Sequence, residues 1–280
     1  MKIKVAKSAG FCFGVKRALE ITFGAAKTKN QVYMLGDIVH NEQVVEQIKN
    51  AGVKKIKHLA QGKNKTLLIR AHGASKHTLK RAMSLRYNIV DATCPMVKEI
   101  HRIAVQSEKK GYKIIIIGDN KHDEVRGIIG QLKRKSLVID NKKNIDLKSL
   151  KRINRAAVVV QSTQNLESVL NIVEILKQNI PILKFFNTIC KPTRIKQDEI
   201  RRLPLKTDIM IIIGSKGSAN TKRLYEISKT YNRRTYWIQS KNQLKKIWFK
   251  DAKSVGITAG ASTPDETTRD VIAFIKERYR

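Results

Sequence analysis

The sequence predicts an α/β fold of three similar, interdependent lobes in pseudo-threefold arrangement about one central cavity. Apolar, β-branched runs alternate with amphipathic helical patterns, as they do where parallel strands are covered by helices. Each third of the chain carries one cysteine, preceded by a short strand-like segment and followed by a helical one. Each third also carries two further strands that end in polar residues, and internal repetition of this kind favours pseudo-symmetry.

Taken in order, the short segments KIKVA, YNIVD and PILKFF lead to Cys12, Cys94 and Cys190, which open the helical stretches CFGVKRALEI, CPMVKEIHRIA and CKPTRIKQDEI. Six stronger runs are YMLGDIVHN, TLLIRAHG, KIIIIGDNKHDE, RAAVVVQSTQ, DIMIIIGSKGSAN and SVGITAGASTPDE. Their endings gather Gly, His, Ser, Thr, Asn and acidic residues. Open α/β sheets bind ligands outside the carboxyl ends of strands, so a site is expected at these endings. The spacing repeats as well: Cys12 to His40, Cys94 to His122 and Cys190 to Ser218 are each 28 residues. No low-complexity linker separates the thirds, and about 90 residues is small for an independent domain. The expected lobes are 1–94, 95–189 and 190–280.

Composition bounds the function. The 280 residues include 57 Lys and Arg against 23 Asp and Glu, a formal net charge of +34. The cations are scattered, densest in stretches such as NKKNIDLKSLKRINR, and no aromatic-interleaved nucleic-acid motif accompanies them. Solvated lysine-rich faces explain the charge, and no specific nucleic-acid partner is expected. No apolar run has transmembrane length and the first residues lack a secretory signal, so a cytoplasmic protein without membrane insertion is expected. Three cysteines without a CxxC pair fit neither a disulfide framework nor a zinc knuckle.

A cysteine at a helix start faces backbone N–H groups and the positive end of the helix dipole, which favour the thiolate. Pro95 marks such a start. Thiolates suit iron–sulfur clusters, and three of them would leave one iron of a cubane open. Zinc with three thiolates and a water, or three unrelated buried cysteines, remain alternatives at this level. Asn41, Ser75, Ser162, Ser218, Asn220 and Ser262 lie where strands yield to helices, where they can bind phosphate oxygens or simply cap. His40, His72 and His122 sit just beyond apolar strands, whereas His58, His77 and His101 read as surface or packing residues. Glu124 is the best proton donor, since a carboxyl in such a site can have a raised pKa.

The segments FCFGVKRA, LGDIVHN, RAHG, DATCP, GDNKHDEVRG, QSTQ, NTIC with Thr193 and Gln197, GSKGSAN and TAGASTPD resemble, in order and spacing, the motifs of hydroxymethylbutenyl diphosphate reductases. The match runs from residue 11 to about 266. The resemblance implies a cloverleaf of three α/β lobes around one [4Fe–4S] cluster held by Cys12, Cys94 and Cys190. It implies reductive dehydroxylation of 4-hydroxy-3-methylbut-2-enyl diphosphate to isopentenyl and dimethylallyl diphosphates, the last step of the non-mevalonate pathway. His40, His72, Ser218, Asn220 and Ser262 would hold the diphosphate with His122 beside them. Glu124 would supply the proton, and Ser162 and Thr163 would lie beside the substrate hydroxyl. An acidic electron donor such as ferredoxin or flavodoxin suits the positive field.

The chain departs from the family pattern at Asp123 in place of proline, Ser162 in place of threonine, Ala219 in place of serine and Lys196 in place of arginine. Asp123 loses a rigid φ constraint ahead of Glu124. Ser162 keeps the hydroxyl without the methyl that restricts its rotamer. Two other readings are a basic nucleic-acid-associated protein with a structural metal, and a duplicate that keeps the fold without activity.

Overall fold

The computed structural model describes residues 1–28 and 30–279. Strand β1 (Lys2–Val5) leads through Cys12 into α1 (Phe13–Ala26). The first lobe follows as β2 (Gln31–Leu35), α2 (Glu42–Asn50), β3 (Lys54–Ile56), β4 (Lys65–Ile69), α3 (Lys76–Ser84) and β5 (Asn88–Asp91). Helix α4 (Pro95–Lys109) opens the second lobe, which continues as β6 (Lys113–Ile117), α5 (Asp123–Ile129), β7 (Leu137–Ile139), α6 (Leu147–Leu150), β8 (Arg155–Val160), α7 (Leu166–Asn179) and β9 (Ile182–Phe185). Helix α8 (Lys191–Arg202) opens the third, with β10 (Ile209–Ile213), α9 (Ala219–Tyr231), β11 (Thr235–Ile238), β12 (Ser254–Ala259) and α10 (Asp265–Arg278).

The strands form three parallel four-stranded sheets, ordered β3-β2-β4-β5, β7-β6-β8-β9 and β11-β10-β12-β1. The fold is therefore α/β with three similar lobes. Within each sheet the order is the same if β1 is counted as the fourth strand of the third lobe. That strand pairs Lys2 with Ser254 and Val5 with Ile257, closing an edge that β12 would otherwise expose. Sequence order places this segment with residues up to 94. Its hydrogen bonds go instead to the end of the chain, so the repeat is cyclic. β1, β5 and β9 are thus equivalent outer strands, and each runs toward a cysteine.

The two middle strands of each sheet are the ones with the strongest apolar runs. IMIII of β10 is buried throughout, as are all but the first residues of KIIII in β6 and RAAVVV in β8. Strands covered on both faces read as continuous β-branched runs rather than alternating ones. In the second lobe, Ile115, Ile117, Val158 and Val160 pack on one face with Val169, Ile172 and Leu176 of α7. Ile114, Ile116, Ala157 and Val159 pack on the other with Ile100 and Ala104 of α4, at helical spacing. The third lobe repeats this division, Ile209, Ile211 and Ile213 facing Val271 and Ile275, and Met210 and Ile212 facing Ile200 and Leu224. Edge strands β3, β7 and β11 have three or four residues each, and the sequence reading did not name them. Their period-two signal is too short to stand out.

By packing, the chain divides into two compact units. One comprises Met1–Lys16, Val39–Glu46 and Lys191–Arg280, and includes the third sheet. The other comprises Arg17–Ile38 and Gln47–Cys190, and includes the first and second sheets. Among the described residues, no helix is long and apolar enough to cross a membrane.

Candidate active site

Each cysteine immediately precedes a helix, α1 at Phe13, α4 at Pro95 and α8 at Lys191. Their backbone anchors are equivalent. Cys12 N–H donates to Ala261 O at 3.1 Å, Cys94 N–H to Ala71 O at 3.0 Å and Cys190 N–H to Ser162 O at 3.1 Å. Each acceptor lies two residues beyond the third strand of its lobe, after Ala259, Ile69 and Val160. All three cysteines are half-buried and none is in a disulfide. Three half-buried cysteines at matching helix starts are a soft donor set that fits an iron–sulfur cluster.

A different device holds the loop before each cysteine. Ahead of Cys12, the buried Lys196 ammonium donates to the carbonyls of Ser8, Gly10 (2.9 Å) and Ala259 (3.2 Å). Glu199 accepts there from the amides of Lys7 (3.1 Å) and Ser8 (2.9 Å) and from the Ser8 hydroxyl (2.5 Å). Ahead of Cys94, Asp91 accepts from the amide and hydroxyl of Thr93 at 2.9 and 2.5 Å, and Arg17 donates to the Thr93 carbonyl at 3.2 Å. Ahead of Cys190, the Thr188 hydroxyl accepts from Val160 N–H at 2.7 Å and donates to Val160 O at 2.6 Å. Sequence reasoning missed Glu199, Thr188 and Arg17, since nothing in a single sequence distinguishes such braces from ordinary helix and loop residues. In the sequence Lys196 stands out only as a departure from the family pattern. A lysine ammonium supplies three donors, enough for these three carbonyls.

In the larger unit the structure brings together Glu124, Ser162, His122 and His72. Glu124 is the second residue of α5 and only 2% exposed. Its Oε1 accepts from Ser162 N–H at 2.6 Å and its Oε2 from the Ser162 hydroxyl at 2.7 Å. Burial pushes the Glu124 carboxyl above its ordinary pKa, and the two Ser162 donors oppose part of that rise. His122 caps α5, its Nδ1 accepting from Glu124 N–H at 3.1 Å. That bond requires an unprotonated Nδ1, so a neutral His122 carries its proton on Nε2. The rings of His72 and His122 meet edge-on, with centroids 5.3 Å apart. Thr163 is half-buried and accepts from Gln161 Nε2 at 3.2 Å. The rotamer freedom expected of Ser162 is removed by its bond to Glu124. Asp123, the first residue of α5, meets Arg70 at 2.5 Å.

In the other unit, the Ser262 hydroxyl donates to the His40 carbonyl at 3.1 Å. Ser218 caps α9, accepting from Thr221 N–H at 3.3 Å, and Asn41 accepts from Val44 N–H at 3.1 Å at the start of α2. Asn41, and not His40, therefore corresponds to the caps His122 and Ser218. The loop between β2 and α2 is one residue longer than its counterparts, which shifts the 28-residue spacing off the cap in this lobe. Asn220 is 5% exposed, and its amide nitrogen is buried without a hydrogen-bond partner among the described residues. A buried donor left open is costly unless a ligand takes it, and a phosphate oxygen is a suitable acceptor. Ala219, which opens α9, has only a methyl group and adds no donor to it.

His101 packs into the fold, one of the two placements expected of it. It lies under the turn after β4, its ring near Gly73 and Gly127, with Nε2 buried and unpartnered among the described residues. Burial, aided by Lys76 and opposed by Asp91, pushes its pKa down to about 4.

The model of the LytB protein family matches residues 3–276. The 4-hydroxy-3-methylbut-2-enyl diphosphate reductase of Geotalea daltonii is 38% identical over 284 residues, with 100% of both chains covered. That of Campylobacter jejuni serotype O:2 is 40% identical over 282 residues, with 100% of this chain and 99% of the relative covered. A solved (E)-4-hydroxy-3-methyl-but-2-enyl diphosphate reductase, the terminal enzyme of the non-mevalonate pathway, is 37% identical with a TM-score of 0.73, covering 99% of this chain and 100% of its own. The E-1-hydroxy-2-methyl-but-2-enyl-4-diphosphate reductase of Plasmodium falciparum superposes with a TM-score of 0.90 at 27% identity, covering 99% of this chain and 89% of its own. The likeness spans motifs and topology alike, and the chain belongs to the LytB family.

Proposed function

We propose that this chain reduces 4-hydroxy-3-methylbut-2-enyl diphosphate to isopentenyl and dimethylallyl diphosphates in the cytoplasm, using an acidic ferredoxin or flavodoxin as electron donor. The overall change adds two electrons and two protons and releases water. Cys12, Cys94 and Cys190 would hold one [4Fe–4S] cluster, which when bound supplies the electrons and an iron able to act as a Lewis acid. Their matching anchors in the three lobes support this assignment.

The carrying observation is the Glu124 carboxyl, buried, raised in pKa and bonded through both oxygens to Ser162. Departure of an allylic hydroxyl as water needs a proton, and a carboxyl whose burial holds its proton above the ordinary carboxylate range can deliver it. When Glu124 is protonated, the hydroxyl bond reverses: Glu124 donates to Ser162 Oγ, and the Ser162 proton is released to donate onward. Ser162, beside Thr163, then acts as a relay to the leaving oxygen. His122 would present Nε2–H to the diphosphate, with His72 against its ring. His40, Ser218, Ser262 and the open amide of Asn220 would bind phosphate oxygens.

The test is an anaerobic assay on iron-loaded protein with a reduced donor, following both products. Formation of isopentenyl and dimethylallyl diphosphates is expected, with turnover abolished in Glu124→Gln while cluster absorbance stays. Fully loaded protein that yields neither product overturns the assignment.

A further inference from the structure

The geometry points to Arg70 and Asp123 as a positioning pair that fixes how α5, and with it Glu124, lies against the first lobe. This rests on the reading of Glu124 as proton source. Arg70 is the first residue past β4, and Asp123 is the first of α5, next to Glu124. Arg70 Nη1 and Asp123 Oδ2 are 2.5 Å apart, with the two side chains 24% and 22% exposed.

The turn beside them leaves room for the guanidinium. Gly36 has φ +77°, and a Cβ there would stand 2.9 Å from Arg70 Nη1. Helix α5 has seven residues, too few to hold a direction alone, so its contacts set its tilt. Just past its C-terminal end, Gln131 Nε2 donates to Ala74 O at 2.7 Å and Lys76 Nζ to Gln131 O at 2.6 Å. At its middle, Gly127 lies so close to His72 O that a Cβ would come within 3.2 Å. At its start stand the Arg70–Asp123 bond and the His72–His122 ring contact. A helix held at both ends keeps Glu124 in register with His72, which belongs to the other lobe. Loss of the ion pair leaves the C-terminal ties and the Glu124–Ser162 bonds in place but removes the brace on the helix start, so the backbone that aims Glu124 is held less firmly.

The test uses Arg70→Met, Asp123→Ala, their combination and Asp123→Pro, at matched iron content. Proline presets φ at the first helical position and restores direction without charge. Either single variant is expected to lower kcat by about 10- to 100-fold with little change in KM. The double variant is expected to be no worse than the singles, and Asp123→Pro to recover most of the loss. Amides of residues 124–129 are expected to exchange with deuterium about tenfold faster in Arg70→Met and Asp123→Ala and not in Asp123→Pro, with or without cluster. Unchanged kcat in the single variants, whether or not exchange accelerates, overturns the pair's role. So does an equal loss in Asp123→Ala and Asp123→Pro, which would assign the effect to charge. Failure of the underlying reading is separate: Glu124→Gln would then turn over normally while the exchange results stood.

Discussion

Ser162 holds both oxygens of the Glu124 carboxyl, its amide on Oε1 at 2.6 Å and its hydroxyl on Oε2 at 2.7 Å, where the glutamate is 2% exposed. Two effects of opposite sign act on one group. Desolvation disfavours the carboxylate, while the two donors favour it. Desolvation is the larger, so the proton is retained above the ordinary value of 4.5.

That balance has a consequence for stability. A carboxyl whose pKa is higher in the folded than in the unfolded chain makes the fold bind more protons, so stability falls as pH rises from 4.5 through the folded value. Glutamine at 124 can accept from the Ser162 amide and donate to its hydroxyl without titrating. Glu124→Gln is expected to unfold at a higher denaturant midpoint than wild type at pH 7, with the difference shrinking toward pH 4.5. Urea unfolding across that range decides it. A variant less stable than wild type at pH 7 would mean that the carboxylate is the favoured form.

Asn220 supplies a contrasting case, because its buried amide nitrogen has no partner among the described residues. Removal of an unsatisfied donor does not cost the fold a hydrogen bond. Asn220→Ala is expected to change stability by less than about 1 kcal/mol, yet to raise KM for the diphosphate by about tenfold or more, the worth of one charge-assisted bond. Calorimetric binding of inorganic pyrophosphate alongside the kinetics checks this. A large stability loss with unchanged KM would assign Asn220 to the fold instead.

The three lobes were legible because buried parallel strands such as KIIII and IMIII are uniformly apolar and end in polar turns. The cysteines were legible because each opens a helix after a short strand. The place of β1 was not, since pairing between Lys2 and Ser254 is set by which edge is open, not by local pattern. Asp123 read as a lost constraint because its partner Arg70 is 53 residues away, and spacing carries no signal for such a bond. His101 reads from the sequence only as a surface or packing residue, and its depressed pKa depends on surroundings that only the fold assembles.

Lys196 is 3% exposed and bonded to three carbonyls in the segments flanking Cys12 and its acceptor Ala261. Lys196→Met keeps the length and removes the donors, leaving those carbonyls short of partners. A loss of about 2–4 kcal/mol is expected, since bonds to a charged donor are worth more than neutral ones. The loop before Cys12 should loosen with it. Iron retained after anaerobic gel filtration is expected to fall in this variant, with Lys196→Arg intermediate. Full iron retention at wild-type stability would show that the ammonium is not a brace.

His101 makes the acid side of the stability profile testable. Its pKa is pushed from 6.5 down to about 4, chiefly by burial, so between those values the unfolded chain binds a proton that the folded chain refuses. Stability contributed by the neutral ring is therefore complete above 6.5 and is lost as pH falls through about 4. The displacement is worth on the order of 3 kcal/mol before solvent screening is discounted. His101→Leu retains the packing against Gly73 and Gly127 without a titrating group, and its stability is expected to fall less steeply with acid than that of wild type. Glu124 acts in the opposite direction over the upper part of this range, so wild type alone is ambiguous. The difference between His101→Leu and wild type at each pH isolates the histidine, and an unchanged acid slope in the variant would move the acid sensitivity to another residue.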